Sequence, residues 1–166
     1  AGISAESGIK TFRDSDGLWE GHNVNDVATP EGFYANPKLV LDFYNARRKQ
    51  LKEVQPNLGH LILTELQEYF DVIVITQNVD DLHERAGNKN VLHLHGELLK
   101  VRSTVDYNHQ LDWTEDLFLG DLDANKNQLR PHIVWFGEEV RGLEIGIRIT
   151  MNADILVIVV TSLPVW

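Results

Sequence analysis

Residues 71–96 read DVIVITQNVDDLHERAGNKNVLHLHG, and this stretch decides the fold class. Residues 71–76 are mostly apolar and β-branched, which is typical of a strand buried on both faces of a parallel sheet. Residues 91–95 form a second candidate strand, and a short helical pattern over 81–86, which ends at Gly87, separates the two. This order predicts an open α/β sheet that binds its ligand at the carboxyl ends of the strands.

Further strands and helices are predicted on either side of this unit. Residues 154–160 repeat the continuous apolar pattern, and residues 132–136 form a fourth candidate strand. Asn36 and Thr29 each precede a proline, which is a typical helix start. Apolar residues at helical spacing over 57–70 predict a further helix. The predicted fold is therefore a Rossmann-like parallel sheet with helices on both faces.

Composition and charge exclude several classes of function. The chain has 166 residues, of which 43% are hydrophobic, as expected for one globular domain. A formal net charge of −10 opposes binding to nucleic acid, and the short basic run at 47–49 predicts a solvated helix face. No apolar run is long enough to cross a bilayer, and the first residues lack the pattern of a secretory signal. We expect a cytoplasmic protein that binds neither nucleic acid nor membrane.

Polar side chains follow the first buried strand. Gln77, Asn78 and Asp80 stand where an open sheet places its ligand, and amide and carboxylate groups suit a ribose and a carboxamide. The alternative is that Asn78 and Asp80 serve only to cap the helix that begins near residue 81.

The first thirteen residues have the composition of a phosphate-binding turn. Residues 1–8, AGISAESG, are small and polar, which allows backbone amides to approach a phosphate at a helix start. Phe12 could cover a cofactor, and Arg13 could bind its phosphate or order the loop. The alternatives are an ordinary turn followed by a helix surface with one buried Phe.

Two imidazoles lie at the end of the second strand. His93 and His95 are two residues apart and so point to the same face. His95 is the better placed of the two for general-base chemistry, for which an imidazole has a suitable pKa. Two alternatives stay open: a metal ion bound by both histidines, and a packed structural pair.

Five segments together resemble the sirtuin family. They are GISAESGIKTFRDSDGLW at 2–19, TQNVDDLHERAG at 76–87, HLHG at 93–96, IVWFGE at 133–138 and TSLPV at 161–165. Within the family, the chain looks like the bacterial CobB-like branch, which carries a Tyr-x-x-Arg motif. The resemblance implies an NAD-dependent protein-lysine deacylase that releases nicotinamide and O-acyl-ADP-ribose.

The resemblance also implies the roles of individual residues. His95 matches the family's base, and Asp80 matches the partner of the nicotinamide amide. The implied NAD contacts are Ala1, Gly2, Ile3, Thr11, Phe12, Arg13, Gln77, Asn78, Asp80, Thr161 and Ser162. The segment implied to bind an extended acyl-lysine peptide by backbone pairing comprises Val134, Trp135, Phe136, Gly137 and Glu138.

Tyr44 and Arg47 stand three residues apart on a predicted helix and so share one face. A guanidinium and a phenol on one face can bind a carboxylate, as the resemblance implies for sirtuins that remove succinyl or malonyl groups. The alternative is that Arg47 pairs with a nearby acid on a solvated face.

The chain departs from the family's pattern in two regions. Residues 103–128 correspond to the family's zinc module, but the chain has no cysteine, so no zinc is expected. Val160 replaces a glycine, and a β-branched residue disfavours the positive φ of such a turn. We expect residues 1–166 to be a catalytic core truncated at both ends, with a helical insertion over 14–56. An inactive protein that still binds ADP-ribose or acyl-lysine, and a metal hydrolase, remain the alternatives.

Overall fold

The computed structural model describes residues 2–10 and 18–161. The predicted contacts at Ala1, Thr11, Phe12, Arg13 and Ser162 therefore lie outside the described part of the chain. The strands are β1 (Leu18–Trp19), β2 (His22–Asn23), β3 (Val74–Thr76), β4 (Val91–His93), β5 (Gly96–Ser103), β6 (Gln110–Asp112) and β7 (Leu129–Ile133). The helices are α1 (Val24–Val27), α2 (Pro30–Ala35), α3 (Pro37–Glu53), α4 (Leu58–Glu65), α5 (Leu82–Ala86) and α6 (Leu143–Met151). None of the helices in these residues is long and apolar enough to span a bilayer.

The predicted β–α–β unit is present. β3 and β4 pair in parallel, with Ile75 opposite Leu92, and α5 connects them. Helix α6, which the sequence analysis did not predict, packs on this pair, since a Cβ added to Gly146 would lie 3.7 Å from both Ile75 and Leu92. Both strands are shorter than predicted, so residue 77 onward and His95 lie in the loops that follow them.

A second sheet is antiparallel and has the order β6-β5-β7. The candidate strand predicted at 132–136 is wrong in position, because β7 ends at Ile133 and belongs to this sheet. Residues 103–128, which correspond to the family's zinc module, contain the strand β6, for which no strand was predicted. All three residues of β6 are exposed, so no apolar pattern marks it, and its strand conformation comes from backbone pairing with β5.

The strand predicted at 154–160 is wrong. These residues form no strand, and the side chains of Ile155 to Val160 are between 46% and 71% exposed. A strand needs a neighbour that satisfies its backbone N–H and C=O groups. Within residues 2–10 and 18–161 no strand pairs with this segment, so its apolar pattern has no buried position to occupy.

The helices before β3 begin as predicted. Thr29 Oγ1 accepts a hydrogen bond from Gly32 N at 3.0 Å, and Asn36 Oδ1 accepts one from Leu39 N at 3.1 Å. Both helices carry a proline in their first turn. Helix α3 then directs its apolar face into the core.

The prediction of a solvated basic face on α3 is wrong for Arg48, whose side chain is 1% exposed. Its Nε donates to the carbonyl oxygen of Leu98 at 3.0 Å, and its NH1 donates to Asn45 Oδ1 at 2.7 Å. Burial lowers the pKa of Arg48 to about 10, which leaves it charged at neutral pH. Arg48 therefore ties α3 to β5.

Candidate active site

A cavity of about 1610 Å³ opens beside the loops that follow β3 and β4. This volume exceeds that of a typical pocket for a drug-sized molecule, so the cavity can hold more than one ligand group. Every described residue that the sequence analysis assigned to cofactor, substrate or catalysis contributes to its wall. These residues are Gly2, Ile3, Tyr44, Arg47, Gln77, Asn78, Asp80, His95, Val134, Trp135, Phe136, Gly137, Glu138 and Thr161.

Asp80 is buried and its two carboxylate oxygens have different partners. Oδ1 accepts a hydrogen bond from Leu82 N at 3.2 Å, so Asp80 does stabilise the start of α5. Oδ2 accepts one from Ser4 Oγ at 2.9 Å. The capping alternative therefore accounts for one oxygen, and the other belongs to a network at the cavity wall.

Ser4 is the centre of that network and is fully buried. Its Oγ lies 3.0 Å from Asn78 Nδ2, which donates to it, and 3.4 Å from His60 Nε2. His60 Nδ1 accepts from Asn57 N, and burial lowers the pKa of His60. A neutral ring that accepts at Nδ1 carries its proton on Nε2, so His60 donates to Ser4, and Ser4 donates to Asp80.

Neither Ser4 nor His60 was among the residues predicted to belong to the site. Ser4 lies inside the predicted phosphate-binding turn, residues 1–8. Its hydroxyl group among small residues was the feature of the sequence that could have indicated a role. His60 gave no signal beyond its place at the start of a predicted helix. The two side chains are 56 positions apart, and only the fold brings them together.

His95 lies in the tight turn between β4 and β5. The turn requires Gly96, since its φ is 86° and an added Cβ would lie 2.0 Å from the carbonyl oxygen of His132. Burial lowers the pKa of His95, and a hydrogen bond to the Gln77 backbone opposes this in part. The ring is therefore neutral near neutral pH and can accept a proton. Val134 N donates to the His95 carbonyl oxygen at 2.9 Å, so the backbone of His95 is joined to the start of the 134–138 segment.

His93 does not share the cavity with His95. Its Nδ1 lies 3.0 Å from the Asn78 carbonyl oxygen, and its Nε2 lies 2.6 Å from Glu84 Oε1. Neither ring nitrogen is left for a metal ion shared with His95. Among the described residues, no close group of potential metal ligands includes His95. These contacts disfavour the metal-pair interpretation.

Tyr44 and Arg47 lie together on α3 at the cavity wall. Tyr44 is fully buried, and its hydroxyl accepts a hydrogen bond from Trp135 Nε1 at 2.9 Å, which leaves the hydroxyl proton to be donated. The guanidinium of Arg47 lies 4.8 Å from the centre of the Phe43 ring, and its NH2 lies 3.8 Å from Glu20 Oε2. Its Nε and NH1 are buried without a hydrogen-bond partner among the residues the structure describes. Arg47 thus pairs with an acid, Glu20, as the alternative interpretation predicts, but only through its NH2 nitrogen.

The side chain of Glu138 is engaged inside the protein. Its carboxylate accepts hydrogen bonds from Arg102 at 3.0 Å, from Arg130 at 2.6 Å and from the backbone N–H of Trp135 at 2.8 Å. Burial alone would raise the pKa of Glu138, but Arg130 and the other donors hold it below its usual value. The carboxylate therefore fixes the shape of the 134–138 segment.

Comparison with known proteins places the chain in a family. The model of the Sir2 family matches residues 1–166, and this chain belongs to that family. An NAD-dependent protein deacylase of Helicobacter pylori is 60% identical over 166 residues, which are 100% of this chain and 72% of the relative. One of Bacteroides thetaiotaomicron is 55% identical over 172 residues, covering 100% and 74% of the two chains.

Solved structures give the same fold. A Sir2 homologue in complex with ADP-ribose has a TM-score of 0.83 at 41% identity, over 93% of this chain and 64% of that chain. A Sir2 homologue in complex with NAD has a TM-score of 0.81 at 41% identity, over 92% and 62%. The chain thus spans less than two thirds of these solved chains. The predicted Rossmann-like α/β fold is confirmed.

Proposed function

We propose that this chain is an NAD-dependent protein-lysine deacylase with His95 as its general base. Its Sir2 family membership and the names of its bacterial relatives support the reaction class. The observation that carries the proposal is one cavity wall that combines His95, the Asn78–Asp80 network and the Tyr44–Arg47 pair. Burial keeps the His95 ring neutral, so that a basic nitrogen faces the cavity at neutral pH.

The residues around the cavity suit NAD. Gly2 and Ile3 offer backbone close to a phosphate, while Gln77, Asn78 and Thr161 offer polar side chains for ribose and amide groups. Asp80, held by Ser4, is assigned to the nicotinamide amide. Bound NAD would supply an electrophilic ribose carbon to the acyl oxygen of the lysine side chain, with nicotinamide as the leaving group. The role of His95 would be to accept the proton of a ribose hydroxyl, so that the acyl group could transfer to that oxygen.

The substrate assigned to the 134–138 segment is an extended acyl-lysine peptide. The internal bonds of Glu138 hold this segment in a fixed shape, as backbone recognition of varied sequences requires. Protein substrates are therefore selected mainly by the acyl-lysine itself. The composition and charge of the chain further support a cytoplasmic location and no role in nucleic-acid binding.

The acyl group assigned to the Tyr44–Arg47 pair carries a carboxylate, as succinyl and malonyl groups do. Arg47 presents two buried N–H-bearing nitrogens, Nε and NH1, without a partner among the described residues. A buried cation with unused donors is costly, and a carboxylate that accepts from both donors removes that cost. Tyr44 can add a third hydrogen bond through its hydroxyl proton. A neutral acetyl group gains none of these.

The test measures nicotinamide release from acetyl-, malonyl- and succinyl-lysine peptides of one sequence. A lost charge-assisted hydrogen bond costs about 1.5 to 3 kcal/mol, so we expect Arg47→Met to lower kcat/KM for the succinyl peptide about tenfold to a hundredfold. Tyr44→Phe should act in the same direction by a smaller factor. Deacetylation should change little. Lys49→Met, which removes an exposed charge from the same helix, is the matched control.

Each part of the proposal has an outcome that would contradict it. Equal losses on acetyl and succinyl peptides would show that Arg47 is structural rather than selective. Turnover that persists in His95→Ala would exclude His95 as the base, and turnover in the absence of NAD would exclude an NAD-dependent reaction. ADP-ribose binding without any nicotinamide release by the wild-type protein would favour the inactive-binder alternative.

A further inference from the structure

The ring of His93 has acceptors at both nitrogens. Nδ1 lies 3.0 Å from the carbonyl oxygen of Asn78, and Nε2 lies 2.6 Å from a carboxylate oxygen of Glu84. The side chain of His93 is 7% exposed, whereas that of Glu84 is 39% exposed, so the ring lies inside the protein and its carboxylate partner lies at the surface. A neutral imidazole carries one N–H and can donate to only one of these acceptors. Only the imidazolium form satisfies both.

Charged and titratable groups from each neighbouring element face this ring. Glu84 and His83 belong to α5, and Glu97 lies on β5, where it pairs with Lys100 at 2.9 Å. Burial alone would lower the pKa of His93, but the hydrogen bonds to Glu84 and Asn78 and the charge of Glu97 raise it above its usual value. The pKa of Glu84 is correspondingly lowered, because the bond to His93 outweighs burial. Both shifts favour an ion pair.

The hydrogen bond between His93 and Asn78 has a functional consequence, because Asn78 belongs to the cavity wall. The backbone carbonyl of Asn78 is held by His93 from one side, and its side chain donates to Ser4 from the other. Ser4 also donates to Asp80. The loop at 77–80 therefore lies between the Ser4 network at the cavity wall and the His93 ring behind it.

We propose that His93 is a positioning residue that, as an imidazolium held by Glu84, keeps the 77–80 loop in the conformation that binds NAD. This role rests on the proposed function for its NAD readout. It differs from that of His95, because His93 does not contact the cavity and transfers no proton in the reaction. The strand β4 thus supplies a structural cation and, two residues later, the base.

The pair gives the site a dependence on pH with a definite sign. Below the pKa of His93, both hydrogen bonds are present and the loop is held. As the pH rises through that pKa, one of the two N–H donors is lost, and the loop gains freedom. NAD binding should therefore weaken on the alkaline side, while binding of the acyl-lysine peptide, assigned to residues 134–138, should not.

The first experiment needs neither NAD nor turnover. The ¹⁵N chemical shifts of the His93 ring should show two protonated nitrogens at neutral pH, and Glu84→Gln should lower the pH at which one proton is lost. Hydrogen exchange of the peptide that contains residues 77–82 should be faster in His93→Gln than in the wild-type protein. A ring that carries one proton at neutral pH, or unchanged exchange in His93→Gln, would overturn the proposal.

The second experiment separates KM for NAD from kcat. A glutamine amide can donate to one acceptor but not to both, so we expect His93→Gln to raise KM for NAD about fivefold to twentyfold. It should also remove the alkaline rise in that KM. Glu84→Gln should move this rise to lower pH. Glu65→Gln, an exposed glutamate of α4, and His109→Gln are the matched controls, since neither side chain contacts the loop.

The outcomes distinguish this inference from the proposed function. If the wild-type protein shows no NAD-dependent turnover, the proposed function is wrong. The protonation of the His93 ring and the hydrogen exchange of residues 77–82 still test the role of His93 in that case. Normal turnover with KM values for NAD and peptide raised equally in His93→Gln, or a pH profile that the variant leaves unchanged, would mean that His93 is merely structural. An alkaline rise in KM that is abolished only in His93→Gln supports the assignment.

Discussion

Replacing Val160 by glycine should improve binding of ADP-ribose. The φ of Val160 is 49°, in the left-handed region that β-branched residues disfavour. Val160 also packs directly on Gly2, where an added Cβ would lie 2.4 Å from the Val160 carbonyl oxygen and 2.5 Å from its Cγ1. Both residues belong to the cavity wall. Val160 therefore has a strained backbone, and its side chain also covers the backbone of Gly2 in the proposed NAD site.

The size of the effect follows from two opposing terms. The left-handed conformation costs an L-residue about 1 to 2 kcal/mol, which glycine avoids. Glycine loses more backbone entropy when it becomes ordered, and this loss reduces the gain by about 0.5 to 1 kcal/mol. Val160 is 68% exposed and its segment pairs with no strand among the described residues, so few contacts offset the strain, and we expect its cost to reduce the fraction of chains that hold this conformation for binding. A net gain of about 0.5 to 1 kcal/mol corresponds to a Kd about twofold to fivefold lower.

Isothermal titration with ADP-ribose measures this change directly. Val157→Gly is the matched control, because Val157 lies in the same exposed segment and does not have a positive φ. We expect tighter binding in Val160→Gly and unchanged or weaker binding in the control. An unchanged Kd in Val160→Gly, or an equal gain in both variants, would refute the argument from strain at this position.

Three further predictions concern groups around the cavity. Glu138→Gln should lower the free energy of unfolding in urea by about 3 to 5 kcal/mol, because Arg102 and Arg130 lose their shared counter-charge; an unchanged midpoint would contradict this. The acid limb of kcat/KM should lie below the usual imidazole pKa of about 6.5, because burial lowers the pKa of His95 and activity falls as pH drops through it. A limb above that value would count against His95. Ser4→Ala should raise KM for NAD about tenfold with KM for the peptide unchanged, since it removes one hydrogen bond to the charged Asp80; equal changes in both KM values would indicate general loss of structure.

The sequence predicted local structure well where local physics determines it. The caps at Thr29 and Asn36 form as predicted, because a capping side chain and the following proline act within a few residues. The two parallel strands also form, since their apolar runs meet one another. The strand predicted at 154–160 does not form. An apolar pattern indicates which environment a segment needs, but it does not show whether a partner strand is present. β6 was missed for the opposite reason: it has partners but no apolar pattern.

Adjacent residues of α3 show why the site was harder to predict than the fold. Arg47 and Arg48 are chemically identical, yet successive helical residues point about 100° apart, so they meet different surroundings. Arg48 turns inward and donates to the Leu98 carbonyl oxygen, and it holds the helix on the antiparallel sheet. Arg47 turns to the cavity with two nitrogens unpaired among the described residues. Sequence spacing alone could place Arg47 beside Tyr44, but which arginine is structural and which can still bind a ligand depends on β5. Because the sequence did not predict β5, the roles of Arg47 and Arg48 could be assigned only from the structure.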